Sequence, residues 1–275
     1  SVEHLKEIYG LDRPLYVQFF SWIGALFHLD FGISFASGKE VKEEILSRLP
    51  ITLIINIVSM ILVFVISLYL GIKSALKQDS WLDNMLKQFS LISYAIPSFY
   101  LALLLIIFFA VGLDWFPISG LESIEPKEGI WKFFDQAWHL VLPIFVIVFG
   151  GVGSLMMYVR SLTVDILKSD YIFFAKARGL SDSVILRKYI LPNLSPPIVA
   201  MLGLSLPGLI GGSVILESIF SINGMGLLFF QSAMSRDYPV IMGILIISAF
   251  LTLVGNILAD VVLLKLNPHF KRGQN

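Results

Sequence analysis

Cysteine is absent from the 275 residues. That excludes disulfides and thiolate metal sites and leaves the compartment open. Charge is scarce. Asp, Glu, Lys and Arg make up 15% of the chain, where a soluble domain carries about a quarter. The 20 basic and 20 acidic residues cancel, so nothing draws the chain as a whole towards nucleic acid. No phosphate-binding G-x-x-x-x-G-K-[ST] loop is present. Gly150-Gly151-Val152-Gly153-Ser154 is glycine-rich but has no lysine, which favours packing over a nucleotide site. There is no H-E-x-x-H pattern, and the four histidines (His4, His28, His139 and His269) are scattered. Only His139 falls near an expected outer vestibule. No basic-then-apolar leader opens the chain at Ser1.

Hydrocarbon is plentiful. Hydrophobic residues make up 56% of the sequence and the mean hydropathy is +0.82, which places the chain among membrane proteins. A bilayer core of roughly 30 Å needs about 20 apolar residues in helix. Five runs meet that need, at about 50–72, 89–113, 139–163, 194–217 and 238–266. The only acids expected in or beside a span are Glu217 and Asp260, each near an end where water reaches. Glu217 either lines the outer mouth of a pathway or reaches water from a helix end.

Lys and Arg set the orientation. The loop 73–88 carries Lys73, Lys77 and Lys87. The loop 164–193 carries Lys168, Lys176, Arg178, Arg187 and Lys188, with Arg160 just before it. The tail carries Lys265, Lys271 and Arg272. By contrast, 114–138 is mainly acidic and 218–237 holds Arg236 alone. Loops 73–88 and 164–193 and the tail are therefore expected in the cytoplasm, with residues 1–49 outside. A chain that begins outside needs an upstream span, so a sixth, N-terminal helix is expected ahead of Ser1. Residues 1–49 read as an extracytoplasmic amphipathic segment. It has a turn at Tyr9–Pro14, a surface-lying helix over Leu15–Leu29 and a second helix from Val41 to Leu49 that ends at Pro50. Residues 50–266 form the transmembrane domain, and 267–275 a cytoplasmic tail.

The spans carry small residues and prolines. Gly150 and Gly153 lie in the third. Gly208 and Gly212 lie in the fourth, four apart, and are expected to share a face that lets another backbone approach. Pro207 and Pro97 are expected to bend their spans. Together they describe helices packed tightly around a path.

The loop 164–193 is the most structured polar stretch. Tyr171 to Arg178 reads as a short helix with Tyr171, Phe174 and Ala175 on one face. Gly179 fits the left-handed position that ends many helices, and Leu180 then packs back on Ala175 or Phe174. Ser181 is a good N-cap for a second helix, expected to stop near Pro192. Ala175, Ala177 and Gly179 would leave a small-residue contact surface at the bend. Both ends of the loop are tied to the membrane, which disfavours DNA binding.

Ala175-Lys176-Ala177-Arg178-Gly179-Leu180-Ser181, followed by Ile190-Leu191-Pro192-Asn193, resembles the "EAA" loop of bacterial ABC importer permeases. The chain resembles more narrowly the first permease subunit of the oligopeptide, dipeptide and nickel branch. Further stretches match in order, among them Asp30-Phe31-Gly32, Arg48-Leu49-Pro50-Ile51-Thr52, Ser80-Trp81-Leu82-Asp83, Trp115-Phe116-Pro117, Glu217-Ser218-Ile219-Phe220 and Asn223-Gly224-Met225-Gly226. The acidic first residue of the generic loop motif is missing, since Phe174 precedes Ala175. The resemblance implies an all-α type I permease fold. It also implies a heterodimer with a second permease, two cytoplasmic ATPase subunits that carry ATP and Mg, and an extracytoplasmic binding protein. The loop around Gly179 would be the ATPase-coupling element. Peptides are the expected substrate, with nickel or another metal chelate as the alternative. A gradient-driven secondary transporter would bury an ion-coupling acid near mid-membrane, and none is evident. An intramembrane protease would need paired catalytic residues within the spans.

Overall fold

In this computed structural model, residues 14–266 are described apart from Pro126 and Pro207. The turn expected at Tyr9–Pro14, all but its last residue, the bend expected at Pro207 and the tail 267–275 lie outside them. Among the described residues the chain is helical, and the one β contact is an isolated bridge between Ile33 and Glu40.

The first helix, α1 (Leu15–Phe27), buries none of its side chains and at 13 residues is too short to cross a bilayer. Next, α2 runs unbroken from Val41 to Leu76 with Pro50 inside it. The expected stop at Pro50, and the segment boundary drawn there, therefore fall within one helix. Proline removes a single backbone donor. Packing on both sides outweighs that loss, with Val41 and Ile45 buried in one core and Ile55 in another. The 36 residues of α2 reach about 54 Å at 1.5 Å each, so the helix projects well past the membrane.

The second expected span is two helices, α3 (Trp81–Ala95) and α4 (Ser98–Leu105), the latter continuing as a π-helical stretch over Ile106–Gly112. The two limbs meet at 98°. Pro97 lies at the break, and Ile96 before it is extended at ψ 120°, the conformation a following proline imposes. The third span sits inside the longer helix α5 (Ile130–Leu167).

The expected helix stop near Pro192 is not observed. After α6 (Asp170–Ala177) and a tight bend, α7 (Asp182–Ile185) passes through a π-helical stretch, Leu186–Ile190, directly into α8 (Leu191–Ser205). Pro192 lies where the π-helical stretch passes into α8 and is carried through the helix. The fourth span is divided into α8, α9 (Gly208–Gly211) and α10 (Val214–Ile219), none of spanning length. Helices α11 (Met225–Ser235) and α12 (Tyr238–Leu266) complete the chain. Among the described residues three helices are long and apolar enough to cross a membrane, and the bent pair makes a fourth span.

The α2–α5 pair forms the largest helix interface, and α3 packs along α5. A Cβ on Gly71 would stand 2.7 Å from the Met156 carbonyl, and one on Gly151 would stand 2.8 Å from Val63. Glycine at these points lets the two backbones close together. One core joins Phe64 and Ile72 of α2, Leu155 and Val159 of α5, and Ile172, Ala175, Ile185, Ile190 and Leu194 of the loop helices. At the opposite end, Ile55, Ala102, Leu140, Val146, Leu216 and Phe220 bring α2, α4, α5 and α10 together.

Candidate functional site

The bend at Gly179 follows from local backbone chemistry. Gly179 has φ +76°. Its N–H donates to the Lys176 carbonyl at 2.9 Å, and the Leu180 N–H donates to the Ala175 carbonyl at 3.2 Å. This is the Schellman arrangement, which closes the open carbonyls of a helix end. Leu180 packs on the core that contains Ala175, as expected. Ser181 takes the extended N-cap backbone, but its side chain caps nothing; its Oγ lies 3.1 Å from Ser183 Oγ.

The faces of α6 differ from expectation. Ala175 is 3% exposed and points into the chain's own core with Ile172. Tyr171, Phe173 and Phe174 point outward, and Phe174 is 61% exposed. An eight-residue helix has two sides, and the interior claimed Ile172 and Ala175. The outer surface therefore consists of Tyr171, Phe173, Phe174, Lys176, Ala177, Arg178 and Gly179. Tyr171 stacks on Tyr189, with centroids 6.4 Å apart. A Cβ on Gly179 would meet nothing within 4 Å, so the bend is open on its outer side.

Glu217 does not reach water. It is 5% exposed. Its carboxylate accepts the Leu227 N–H at 2.7 Å and the Gly226 N–H, while the Met225 N–H donates to Thr52 Oγ1 at 2.9 Å. The N-terminus of α11 is preceded by Gly224, which has no side chain to cap it. Its free donors are satisfied by Glu217, from just ahead of the helix, and by Thr52, far away in the sequence. Gly212 has φ +57° and lies outside α9, so Gly208 and Gly212 do not share a helix face. A Cβ on Gly208 would meet nothing, whereas one on Gly212 would collide with Glu217 Oε1 and stand 2.8 Å from the Gly226 nitrogen. The close backbone approach is therefore at Gly212, between two turns. Asn56 donates to the Leu209 carbonyl at 2.6 Å. Thr52, Asn56, Pro143, Ser213 and Glu217 line a small cavity here.

The other pair of candidate glycines also divides. A Cβ on Gly150 would meet nothing, while one on Gly153 would strike Ser93 Oγ and stand 3.1 Å from the Ser90 carbonyl. Ser90 Oγ donates to the Gly153 carbonyl at 2.7 Å. Gly153 is thus a helix contact and Gly150 is not.

A buried acid stands outside the two expected ones. Asp83, in the first turn of α3, is 0% exposed. Arg160 of α5 holds it with both arms, Nε at 2.7 Å and Nη2 at 2.8 Å. Ser74 Oγ donates to it at 2.5 Å, the Asp79 N–H at 2.9 Å, and Lys87 Nζ lies 2.9 Å away. The sequence signal was Ser80-x-x-Asp83, a helix-start pattern that gives no hint of a partner 77 residues on.

On the side expected to lie outside, carboxylates pin loops. Asp135 accepts from the Ser123 N–H at 2.7 Å and from its Oγ at 2.5 Å. His139 is 8% exposed, with Nδ1 2.8 Å from the Asp135 carbonyl. A concavity here is lined by Trp115, Phe116, Glu122, Lys127, Trp138 and His139, among others. Lys132 and then Gln136 hydrogen-bond Glu122 and hold its carboxyl below the usual glutamate range. Asp237 accepts from Ser34 Oγ at 2.5 Å and from the Phe35 and Ala36 N–H groups.

A multi-pass bundle with two broken spans and a structured polar loop has the architecture of an ABC importer permease. It superposes on a chain of the MetNI methionine ABC transporter, solved in inward-facing conformations, with a TM-score of 0.63 at 19% identity over 81% of this chain and 96% of that one. The chain belongs to the family described as binding-protein-dependent transport system inner membrane component, matched over residues 64–272. It is 41% identical to the oligopeptide transport system permease protein AppB of Bacillus subtilis, covering 98% of this chain and 84% of that protein. It is 32% identical to the probable D,D-dipeptide transport system permease protein DdpB of Escherichia coli, over 99% of this chain and 85% of DdpB.

Proposed function

We propose that this chain forms half of the membrane pathway of an ATP-driven peptide importer and receives the work of ATP hydrolysis through the segment around Gly179. The observation that carries the docking claim is the two-sided build of that segment. Its inner side, Ile172, Ala175 and Ile185, is fixed in a core shared with α2 and α5. Its outer side offers exposed aromatics, two cations and an open glycine bend. Exposed aromatics on a polar loop mark a contact surface, and the rigid underside would pass a push to the long helices.

In this reading the partners are a second, homologous permease, two cytoplasmic ATPase subunits that bind ATP and Mg, and an extracytoplasmic binding protein. The complex sits in the bacterial inner membrane. Residues 1–49, 114–138 and 218–237 face the binding protein. Peptides are favoured over nickel chelates because AppB and DdpB are named for peptide transport.

The test is uptake by the complex reconstituted from all five chains. Peptide uptake should require ATP and a loaded binding protein and should persist when the proton gradient is collapsed with ATP maintained. Uptake by this chain alone, driven by a gradient, would overturn the reading. Introducing Ala177→Asp into the docking surface should leave the chain inserted in the membrane but abolish stimulation of the ATPase by the binding protein. Normal transport by that variant would remove the segment from the mechanism.

A further inference from the structure

Asp83 and Arg160 are not part of the bend at Gly179, yet they are built into the same block. Arg160 follows Val159, which is buried in the core beneath α6 and α7. Across from it, α3 is joined to α5 at two points in matching antiparallel register. The first is the Asp83–Arg160 fork. The second, seven residues further along α3 and seven back along α5, is the Ser90 hydroxyl on the Gly153 carbonyl, where glycine brings the helices into contact. Ser74 ties α2 to the same carboxylate.

We propose that Asp83 and Arg160 are positioning residues that lock α3 to α5, so that α3 moves as one piece with the segment around Gly179 when that segment is driven. The proposal rests on the reading that an ATPase drives the segment. A carboxylate serving only to start α3 would need the local donors of its own turn. This one is fully buried and takes the planar fork of an arginine from another helix. Such a fork fixes distance and orientation together, which a lysine ammonium does not. Helices joined by apolar contact alone can slide over one another by small shear. The fork at one register and the glycine contact at the next resist that slide, and α3 leads directly to the 98° break at Pro97.

These 275 residues contain no cysteine, so distances can be read between spin labels at single introduced cysteines. Gln88→Cys on α3 and Lys168→Cys at the end of α5 are both exposed positions. In the complete complex, the distance between these labels should be the same without nucleotide and with a non-hydrolysable ATP analogue. Arg160→Lys keeps the charge and removes the fork. It should broaden that distance and lower peptide taken up per ATP hydrolysed by about tenfold, the size of an ordinary coupling between sites. The comparison is made on complexes that retain their ATPase at wild-type basal activity. A distance that changes with nucleotide in the unmodified pair would overturn the proposal, as would undiminished uptake per ATP in Arg160→Lys. Asp83→Asn should act in the same direction, and if it does not accumulate the other two measurements decide. Failure of the docking reading would show separately, as normal ATPase stimulation in Ala177→Asp.

Discussion

Replacing Gly179 with asparagine, alanine and valine separates a backbone requirement from a space requirement. At φ +76° an L side chain suffers from its own Cβ against the following carbonyl, at about 1–2 kcal/mol. Asparagine tolerates this region best and a β-branched residue worst. Within the chain nothing else is at stake, because a Cβ at Gly179 meets no atom within 4 Å. The capped bend should therefore lose population in the order asparagine, alanine, valine, by about 5- to 30-fold over that energy range. Two readouts should follow the same order. One is protection of the Leu180 amide from hydrogen exchange, since that N–H is bonded to the Ala175 carbonyl only while the bend is formed. The other is ATPase stimulation by the loaded binding protein. Asparagine is larger than alanine, so a partner surface pressed against Gly179 would reverse their order in the second assay. Asparagine proving more damaging than alanine, with Leu180 still protected, would refute the claim that backbone geometry is what the bend must preserve.

Five further substitutions, at four positions, test the broken fourth span and its neighbours. Glu217→Ala strips the acceptor from the Gly226 and Leu227 amides, and each buried donor left open costs about 1–3 kcal/mol. Thermal unfolding in detergent should fall clearly, with Glu217→Gln milder because one carbonyl oxygen remains. Thr52→Val leaves the Met225 N–H without its acceptor. It should destabilise by a single such amount, about 1–3 kcal/mol, and its loss should not add fully to that of Glu217→Ala, since both residues hold one helix end. Gly153→Ala should lower the melting temperature because its Cβ collides with Ser93. Gly150→Ala meets no neighbour and should gain up to about 1 kcal/mol from helix propensity.

What the sequence made legible was local. The bend at Gly179 rests on one residue's access to positive φ and on hydrogen bonds within five residues, so its C-terminal cap could be read before any packing was known. Pro97 was legible for the same reason, since a proline constrains the residue before it. Hydropathy located the apolar runs because it is a sum over a window. A sum cannot see where a run is interrupted, and the fourth span divides at Gly212, whose left-handed turn packs against Glu217 of α10 and Gly226 of the next segment. Nor could it tell that Pro50 would be carried through a helix, which packing on both sides decided.

The two buried carboxylates show why the rest stayed hidden. Glu217 was expected to line an outer mouth or to reach water from a span end, as an isolated acid there usually does. Its actual environment is the amino end of α11, where donors stand open because Gly224 has no side chain. A signal did exist. A helix that begins Asn223-Gly224-Met225-Gly226 needs acceptors from elsewhere, and an acid nearby in sequence can supply them. Asp83 offered no such signal, because its partner lies 77 residues away on a helix whose facing side is set only by folding. Gly153 and Gly150 make the same point without charge, since identical residues three apart acquire opposite roles from what happens to face them. Residue type can be read one position at a time, but the pairing of surfaces cannot. Among the pairings that escaped the sequence, the Asp83–Arg160 fork ties α3 to α5, the helix that leads into the segment around Gly179.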